Sequence, residues 1–249
     1  MNKLIVICGP TCTGKTSLAI GLCKKFDGEI VSADSRQIYK FMDIGTGKLP
    51  LSGMQKSQCK MQKQDGCWIV DGVYVHLYDV VEPDRKFSVA RFKDAATKEI
   101  QSMWRRQKVP FLVGGTGFYV AAVLGEEQRS EKLKIGLTSS RETLFQRAYA
   151  WAEGVVNDSL LAEVKNLIDR GYKNTPPMQG IIYQTTIDHL VGKISKEEML
   201  QKIKFDLHGY IRRQLTWFRR DKEIQWFDLA EPDCGKKVEK LVESFLRDG

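Results

Sequence analysis

Hydrophobic and polar positions follow two alternating patterns in the first half of the chain. Apolar residues recur at helical spacing after residue 16, over residues 88–107 and from Gly117 onward, and Ser88 is a suitable N-cap for the second of these helices. Short apolar runs typical of buried strands separate them, at residues 4–8, 29–33, 73–80 and 109–113. This alternation of strands and helices predicts a parallel sheet with helices on both of its faces.

The second half of the chain has mainly the helical pattern. Ser195 and Glu198 have the spacing of a capping box, so the longest helix is expected to begin there, and Pro176-Pro177 breaks the helical pattern before it. A short strand at residues 224–227 and a terminal helix follow. The predicted helices cover residues 141–170, 180–191 and 195–219.

Two segments carry no clear periodicity. Residues 48–72 are rich in glutamine, lysine and serine and are predicted to form a loop or a small hairpin. Residues 126–140 are predicted to form a charged connection. We therefore divide the chain into an α/β core over residues 1–128 and a mostly helical region over residues 129–249 that packs on this core.

Length and composition narrow the class of protein. The 249 residues can form one large or two small domains with a substantial core. The longest apolar runs, such as residues 109–113, are too short to span a membrane, and the first residues lead into a strand without the pattern of a signal peptide. The six cysteines have no C-x-x-C spacing, which argues against zinc and favours reduced thiols. We expect a cytoplasmic monomer without a membrane partner.

The first strand leads into a segment with the spacing G-x-x-x-x-G-K-[ST], which is that of a phosphate-binding loop. Its glycines let successive N–H groups point at an anion, and the helix N-terminus that follows adds to this attraction. Its lysine supplies charge for the outer phosphates, and the hydroxyl of its last residue suits Mg2+. Kinases, hydrolases and other enzymes share this loop, so it does not identify a reaction. The predicted phosphate-binding residues are Gly9, Pro10, Thr11, Cys12, Thr13, Gly14, Lys15 and Thr16.

A carboxylate is expected beside this loop, at the end of the second strand. Asp34 can be a cap or turn residue, or it can accept a proton from an attacking nitrogen or hydroxyl group. Ser35 and Gln37 can bond the edge of a base, and Arg36 can pair with phosphate. The glycine loop at residues 114–117 ends another strand. Because ligands of such sheets bind at the carboxyl ends of the strands, these segments are predicted to converge on one cleft.

The long predicted helix ends in a basic and aromatic segment. Its arginines can share one face, and arginine both binds phosphates and stacks on bases. The formal net charge of +8 also favours a polyanionic partner such as nucleic acid. The alternative is a core helix with solvated arginines, and for Trp217 and Phe218 we favour core packing. The residues that can share the basic face are Arg212, Thr216, Arg219 and Arg220.

Six segments along the chain, taken in order, match a known set of motifs. They lie at residues 9–16, 32–39, 42–48, 87–90, 112–119 and 213–219. With them the chain resembles the tRNA dimethylallyltransferases, the tRNA isopentenyltransferase family. The resemblance covers most of the chain, and the series is more specific than a phosphate loop alone. It implies an α/β fold like that of the P-loop NTPases, with a parallel sheet flanked by helices and a mostly helical second half.

The resemblance implies transfer of a dimethylallyl group from dimethylallyl diphosphate to N6 of the adenosine next to the anticodon of tRNA. The phosphate loop, although typical of an ATP site, would hold the prenyl diphosphate together with Arg147, and Mg2+ would bind through Thr16. Lys15, Thr16 and Asp34 would form the catalytic set, with Asp34 accepting the N6 proton. The adenine would be flipped out of the anticodon stem-loop. The implied tRNA-binding residues are Asp34, Ser35, Arg36, Gln37, Thr116, Arg212, Arg213, Gln214, Thr216 and Arg219.

The chain departs from the family pattern in three places. A helical insertion that normally follows the glycine loop and embraces the anticodon stem is missing. Trp151 stands where the family has an arginine four residues after Arg147. Gln179, Ile182 and Gln184 stand for two arginines and a glycine of a later Arg-x-x-Gly-Tyr-Arg pattern. Weaker tRNA binding, a smaller RNA substrate and loss of catalysis are all compatible with these changes.

Three alternative functions therefore stay open at the level of sequence. They are a nucleotide or small-molecule kinase, a prenyltransferase that acts on free adenine nucleotides, and an RNA-binding protein that has lost catalysis. A kinase would consume ATP, whereas either prenyltransferase would consume dimethylallyl diphosphate. The RNA-binding protein would bind tRNA without forming a product.

Overall fold

The computed structural model describes residues 2–48, 61–64, 66–126 and 130–247. The strands in this part of the chain are β1 (Lys3–Cys8), β2 (Gly28–Ser32), β3 (Met61–Gln64), β4 (Gly66–Val70), β5 (Val73–Tyr78), β6 (Val109–Gly114), β7 (Glu131–Thr138) and β8 (Gln225–Asp228). The helices are α1 (Lys15–Phe26), α2 (Val89–Arg105), α3 (Gly117–Glu126), α4 (Arg141–Val155), α5 (Asp158–Asp169), α6 (Ile181–Leu190), α7 (Lys196–Phe218) and α8 (Cys234–Arg247). A short 3-10 helix, Pro176–Gln179, precedes α6.

The strands form one sheet in the order β3-β4-β5-β2-β6-β1-β7-β8. From β5 to β8 every neighbouring pair is parallel, whereas β3 and β4 form an antiparallel hairpin at one edge. β1, β6 and β2 lie side by side in the middle. Their carboxyl ends carry the phosphate loop, the glycine loop and Asp34, so the topology brings these three segments together.

Helices cover both faces of the sheet, as predicted. Along β1, Ile5 and Ile7 point to a core that includes α1 and α8, while Leu4 and Val6 point to a core that includes α2 and α3. This alternation is the two-residue period of a strand. A third core joins α4, α5, α6 and α7 to the segment around Ile38 and Met42. The helical half of the chain therefore packs on the edge of the sheet where the cleft is expected.

The predicted helix caps at Ser88 and Ser195 are present in the structure. The Ser88 hydroxyl accepts a hydrogen bond from the Arg91 N–H at 3.2 Å, and Ser195 with Glu198 forms a capping box. The helical stretch 141–170 is interrupted at Asn157, whose side chain caps α5. Of the predicted loop or hairpin at 48–72, residues 61–64 and 66–70 form the antiparallel pair β3 and β4, and residues 49–60 and 65 lie outside the described residues.

The prediction of a charged connection at residues 126–140 was wrong, because residues 131–138 form β7 inside the sheet. Leu133, Ile135 and Leu137 are buried and alternate with polar positions. Lys134 lies between them and pairs with Asp221 at 2.8 Å and with Glu223. The lysines of this segment concealed the strand pattern, and the carboxylate partners of Lys134 are nearly 90 residues away.

The proposed division at residue 128 stays a prediction, and the sheet takes β7 and β8 from the second half. Among the helices that the structure describes, none combines the length and apolar character needed to cross a membrane. The five cysteines within the described ranges are free thiols, and Cys59 lies outside those ranges.

Candidate active site

A cavity of about 790 Å³ opens at the carboxyl ends of the central strands. Its lining includes the phosphate loop, the segment from Asp34 to Gln37, the turn at residues 45–47 and the glycine loop, with α4, α6 and α7 on the remaining sides. The predicted convergence of the phosphate loop, Asp34 and the glycine loop on one cleft is therefore confirmed.

The phosphate loop adopts a shape that only glycine permits at its first position. Gly9 has a φ of +133°, and a Cβ there would lie 2.3 Å from the carbonyl oxygen of Leu137. The Thr13 hydroxyl and the Lys15 ammonium both donate to the carbonyl of Pro10, at 2.9 and 2.6 Å. Burial lowers the pKa of Lys15 to about 8. The negative charge of a bound polyphosphate would raise this pKa and so favour the charged ammonium group.

Two side chains from the helical half reach this loop. Arg147 on α4 donates from Nε to the carbonyl of Cys12 at 2.8 Å, which places its guanidinium beside Gly14. Gln214 on α7 accepts from the Thr11 N–H at 2.9 Å and donates to the carbonyl of Gly115 at 2.9 Å. Arg147 thus lies beside the phosphate loop, and its contact with a diphosphate stays a prediction. Gln214 is buried and bridges the phosphate loop and the glycine loop, and its role as a tRNA contact stays a prediction.

Asp34 forms a local turn and also faces the cavity, and its role as a proton acceptor stays a prediction. Its Oδ1 accepts from the Arg36 N–H at 2.8 Å, which is a local turn, and its carboxylate also lines the cavity. Burial raises the pKa of Asp34 above its ordinary value, while the Arg36 N–H and the nearby Lys15 act in the opposite direction. A partly desolvated carboxylate beside a phosphate site is suited to accept a proton.

The neighbours of Asp34 are held by bonds to distant segments. The Ser35 N–H donates to the Thr116 hydroxyl at 3.0 Å, and Arg36 donates to the carbonyl of Pro176 at 3.2 Å. Gln37 accepts from the Ser32 hydroxyl at 2.8 Å and donates to the carbonyl of Thr46 at 3.2 Å. The Gln37 amide is thus bonded to protein at both ends, and direct contact of Ser35, Arg36, Gln37 and Thr116 with a nucleotide stays a prediction.

Sequence reasoning missed the two charged side chains that hold the segment from Asp43 to Lys48. Glu163 on α5 accepts from the backbone N–H groups of Asp43, Ile44 and Gly45 at 3.0, 2.7 and 3.1 Å. Lys48 is fully buried and donates to Asp43 at 2.9 Å and to Asp79. The Asp43–Lys48 segment is one of the motif segments in the sequence, but nothing there points to a carboxylate about 120 residues later.

The basic end of α7 lies partly in the cavity and partly outside it. Arg213 lines the cavity and stands 6.0 Å from the ring of Tyr210. Arg212 is exposed and faces an adjoining cavity of about 660 Å³, and Thr216 and Arg219 are exposed as well. The predicted core role of Phe218 is confirmed by its burial. Trp217 is half-buried, packing against the ring of Phe118 and against Gly117.

The departures from the family pattern fall in these same walls. Trp151 lines the cavity one helical turn after Arg147 and packs against Gly47. Gln179 lies between the two cavities. Gln184 donates to Asp188 at 3.3 Å. This part of the wall thus presents an indole and amides rather than guanidinium groups.

Thr16 lines the cavity together with Lys15 and Asp34. Within the described residues, no three His, Cys, Asp or Glu side chains are arranged to hold a metal ion. A hard cation such as Mg2+ at the Thr16 hydroxyl would complete its coordination shell with phosphate oxygens and water, as Mg2+ commonly does in phosphate sites.

The model of the family described as IPP transferase matches residues 37–132 and 125–221 of the chain. The tRNA dimethylallyltransferase of Carboxydothermus hydrogenoformans is 31% identical over 316 aligned positions, covering 97% of this chain and 96% of that protein. An alignment longer than the 249-residue chain means that the relative has residues that this chain lacks. The two family segments meet at residues 125–132, after α3, where the insertion was predicted to be missing.

Solved structures of tRNA isopentenylpyrophosphate transferases also match this chain over its whole length. The full-length tRNA isopentenylpyrophosphate transferase of Bacillus halodurans superimposes with a TM-score of 0.85 at 29% identity, covering 100% of this chain and 98% of that one. The tRNA delta(2)-isopentenylpyrophosphate transferase of Staphylococcus epidermidis superimposes with a TM-score of 0.85 at 26% identity and covers 100% of both chains.

Proposed function

Because this chain belongs to the tRNA dimethylallyltransferase family, we propose that it transfers a dimethylallyl group from dimethylallyl diphosphate to N6 of the adenosine next to the anticodon of tRNA. The family comparisons support this function and not the kinase or free-nucleotide alternatives. The single structural observation that carries the proposal is the cavity in which a phosphate loop and the Asp34 carboxylate face one space.

The donor would bind at the phosphate loop. Its diphosphate would take hydrogen bonds from the loop N–H groups and charge from Lys15 and Arg147, which already lie over the loop. The Thr16 hydroxyl fits a Mg2+ ion, which would neutralise charge on the leaving diphosphate when bound. These residues would thereby lower the barrier to breaking the bond between the allylic carbon and the diphosphate oxygen.

The acceptor would enter from the side of Asp34. The adenine N6 attacks the allylic carbon, the carbon–oxygen bond breaks with its electron pair going to the diphosphate, and the N6 proton passes to Asp34. Ser35, Arg36 and Gln37 line the cavity next to Asp34, Thr116 accepts from the Ser35 N–H, and these four residues would orient the base. Arg212, Arg213, Gln214, Thr216 and Arg219 would lie along the RNA, so the helical region 129–249 would be its RNA-facing part. We propose that the protein acts in the cytoplasm, where it would meet tRNA. We also propose that it acts as a monomer.

A labelled-donor assay tests the proposal. Wild-type protein is incubated with labelled dimethylallyl diphosphate and tRNA, an anticodon stem-loop RNA, or AMP, with and without Mg2+. We expect label in tRNA and in the stem-loop at the adenine N6, little in AMP, and none without Mg2+. A parallel reaction with labelled ATP should give no transfer. Absence of label from every adenine acceptor would overturn the proposed function.

A further inference from the structure

Glu163 is a half-buried carboxylate that the proposed reaction does not use. It lies on α5, and four donors converge on it. Oε2 accepts from the N–H groups of Asp43 and Ile44 at 3.0 and 2.7 Å, while Oε1 accepts from the Gly45 N–H at 3.1 Å and from the Tyr183 hydroxyl at 2.7 Å. Three consecutive N–H groups turned to one side form an anion-binding concavity, and here the anion is supplied by the chain itself.

The turn held in this way also packs against Tyr183 and is bonded at both of its ends. The ring of Tyr183 occupies the space beside Gly45, where a Cβ would lie 2.6 Å from Tyr183 Cζ. The Thr46 hydroxyl donates to the carbonyl of Met42 at 2.6 Å. At the far end, Lys48 donates to the carbonyl of Tyr39 at 2.7 Å. The turn from Asp43 to Gly47 therefore has little freedom as long as Glu163 is in place.

This turn is connected to Asp34 through one side chain. Gln37 donates to the carbonyls of Thr46 and Gly47 at 3.2 and 3.4 Å, and it accepts from the Ser32 hydroxyl at 2.8 Å. The bond between Ser32 and Gln37 closes a short loop of backbone, and Asp34 lies inside that loop. A shift of the turn therefore moves Gln37, and a shift of Gln37 changes the support of the Asp34 carboxylate.

We propose that Glu163 is a positioning residue for the transfer reaction, acting through the Asp43–Gly47 turn and Gln37 to hold Asp34 in the geometry that accepts the proton. It does not touch the reacting atoms. The inference rests on the proposed function in that Asp34 is taken as the base, but the connection from Glu163 to Asp34 can be measured without turnover.

Glu163→Gln is the central variant, because it keeps the size of the side chain but presents an amide N–H group to backbone donors. We expect kcat to fall about 10- to 100-fold, as misplaced catalytic groups do, with the KM for the donor changed less than about twofold. Gly45→Ala disturbs the same turn through its contact with the Tyr183 ring and should reproduce the effect. Glu163→Asp, which keeps the charge but shortens the reach, should recover part of the activity.

Two measurements separate positioning from a general loss of structure. Rates are expressed per folded molecule after thermal and far-UV CD measurements, since simple unfolding lowers the active fraction without changing the pH profile. The titration of the Asp34 carboxyl is followed by carbon NMR, which does not depend on turnover. In Glu163→Gln the pKa of Asp34 should move toward that of an ordinary aspartate, with Lys15 and Arg36 still beside it.

The matched control is Glu153→Gln on α4, whose exposed carboxylate pairs with Lys204 at the surface. It should change neither kcat nor the Asp34 titration. An unchanged Asp34 titration and unchanged kcat in both Glu163→Gln and Gly45→Ala would overturn the inference. If wild-type protein transfers no prenyl group, the proposed function fails by itself, and the NMR titration still decides the role of Glu163.

Discussion

The phosphate side and the acceptor side of the cavity are built in different ways. On the phosphate side, the loop takes its shape from consecutive residues, through the positive φ of Gly9 and through bonds from Thr13 and Lys15 to Pro10. On the acceptor side, the Ser35 N–H next to Asp34 donates to Thr116, and Glu163 holds the Asp43–Gly47 turn to which Gln37 is bonded. The comparison teaches that a local motif shapes the proposed donor site, whereas the placement of the proposed base depends on segments far apart in the chain.

The largest expected effect is on the acceptor side, at Asp34. Asp34→Ala and Asp34→Asn should lower the transfer rate about 10²- to 10⁴-fold, which is the usual contribution of a general base. Donor binding should persist, because the phosphate loop is intact. Rates are measured with labelled donor and tRNA, and donor binding is measured by calorimetry. Transfer by Asp34→Asn at the wild-type rate would remove Asp34 from the catalytic set.

The pH dependence provides a second measurement at the same residue. Burial raises the pKa of Asp34, and only the ionised carboxylate accepts a proton. The rate should therefore fall as the pH decreases through this raised pKa, with the acidic limb lying above the pH at which an ordinary aspartate titrates. The rate measured as a function of pH at saturating substrate concentrations gives the position of this acidic limb. A limb at the ordinary aspartate position would argue against a desolvated base.

The next largest effect is expected on the phosphate side, at Gly9. Gly9→Ala forces a Cβ against the carbonyl of Leu137 and a side chain into a φ of +133°, so about 1–3 kcal/mol of strain is expected together with loss of donor affinity. Urea denaturation and donor binding measure the two effects. Gly14→Ala is the comparison variant. A Cβ at residue 14 would meet Arg147 at an ordinary contact distance of 3.7 Å, so the strain there comes from the φ of +79° alone. Equal loss in both variants would contradict the importance of the Leu137 contact.

A smaller effect is expected where the two sides are joined, at Gln214. Gln214→Leu leaves the Thr11 N–H and the Gly115 carbonyl without their partner, which should lower the free energy of unfolding by about 1–3 kcal/mol and raise the KM for the donor. Gln201→Leu on the exposed side of α7 is the control and should leave both values unchanged. An unchanged donor KM in Gln214→Leu would mean that the bridge supports folding alone.

The smallest effects are expected at single arginines of α7. Arg212→Gln and Arg219→Gln should each weaken RNA binding a few-fold and lower the slope of log K against log salt by about one for each phosphate that the arginine neutralises in the wild-type protein. Arg105→Gln at the end of α2, away from the cavity, is the control. Fluorescence anisotropy with a labelled anticodon stem-loop at several salt concentrations measures both quantities. If the slope of log K against log salt is unchanged in both variants, neither arginine contacts an RNA phosphate and both are solvated surface residues.

The two sides also differ in how far the sequence predicts them. Strands β1, β2, β5, β6 and β8 and the caps at Ser88 and Ser195 follow from patterns within a few residues, and the structure confirms them. The phosphate loop follows from a pattern of the same kind, and its binding of phosphate stays a prediction. β7 was missed because Lys134 is neutralised by Asp221 and Glu223, which lie almost ninety residues later. Glu163 and the bridge at Gln214 could not be predicted for the same reason, since their partners meet only in the folded chain.

The position of Gln214 has a thermodynamic consequence. The residue lies next to Arg212 and Arg213 on the same helix, and its amide is bonded to the loop that would hold the donor. A displacement of α7 by RNA would therefore alter the affinity for the donor. By linkage, the donor would then alter the affinity for RNA by the same factor. Measuring either affinity at saturation with the other substrate would give the size of this cooperativity.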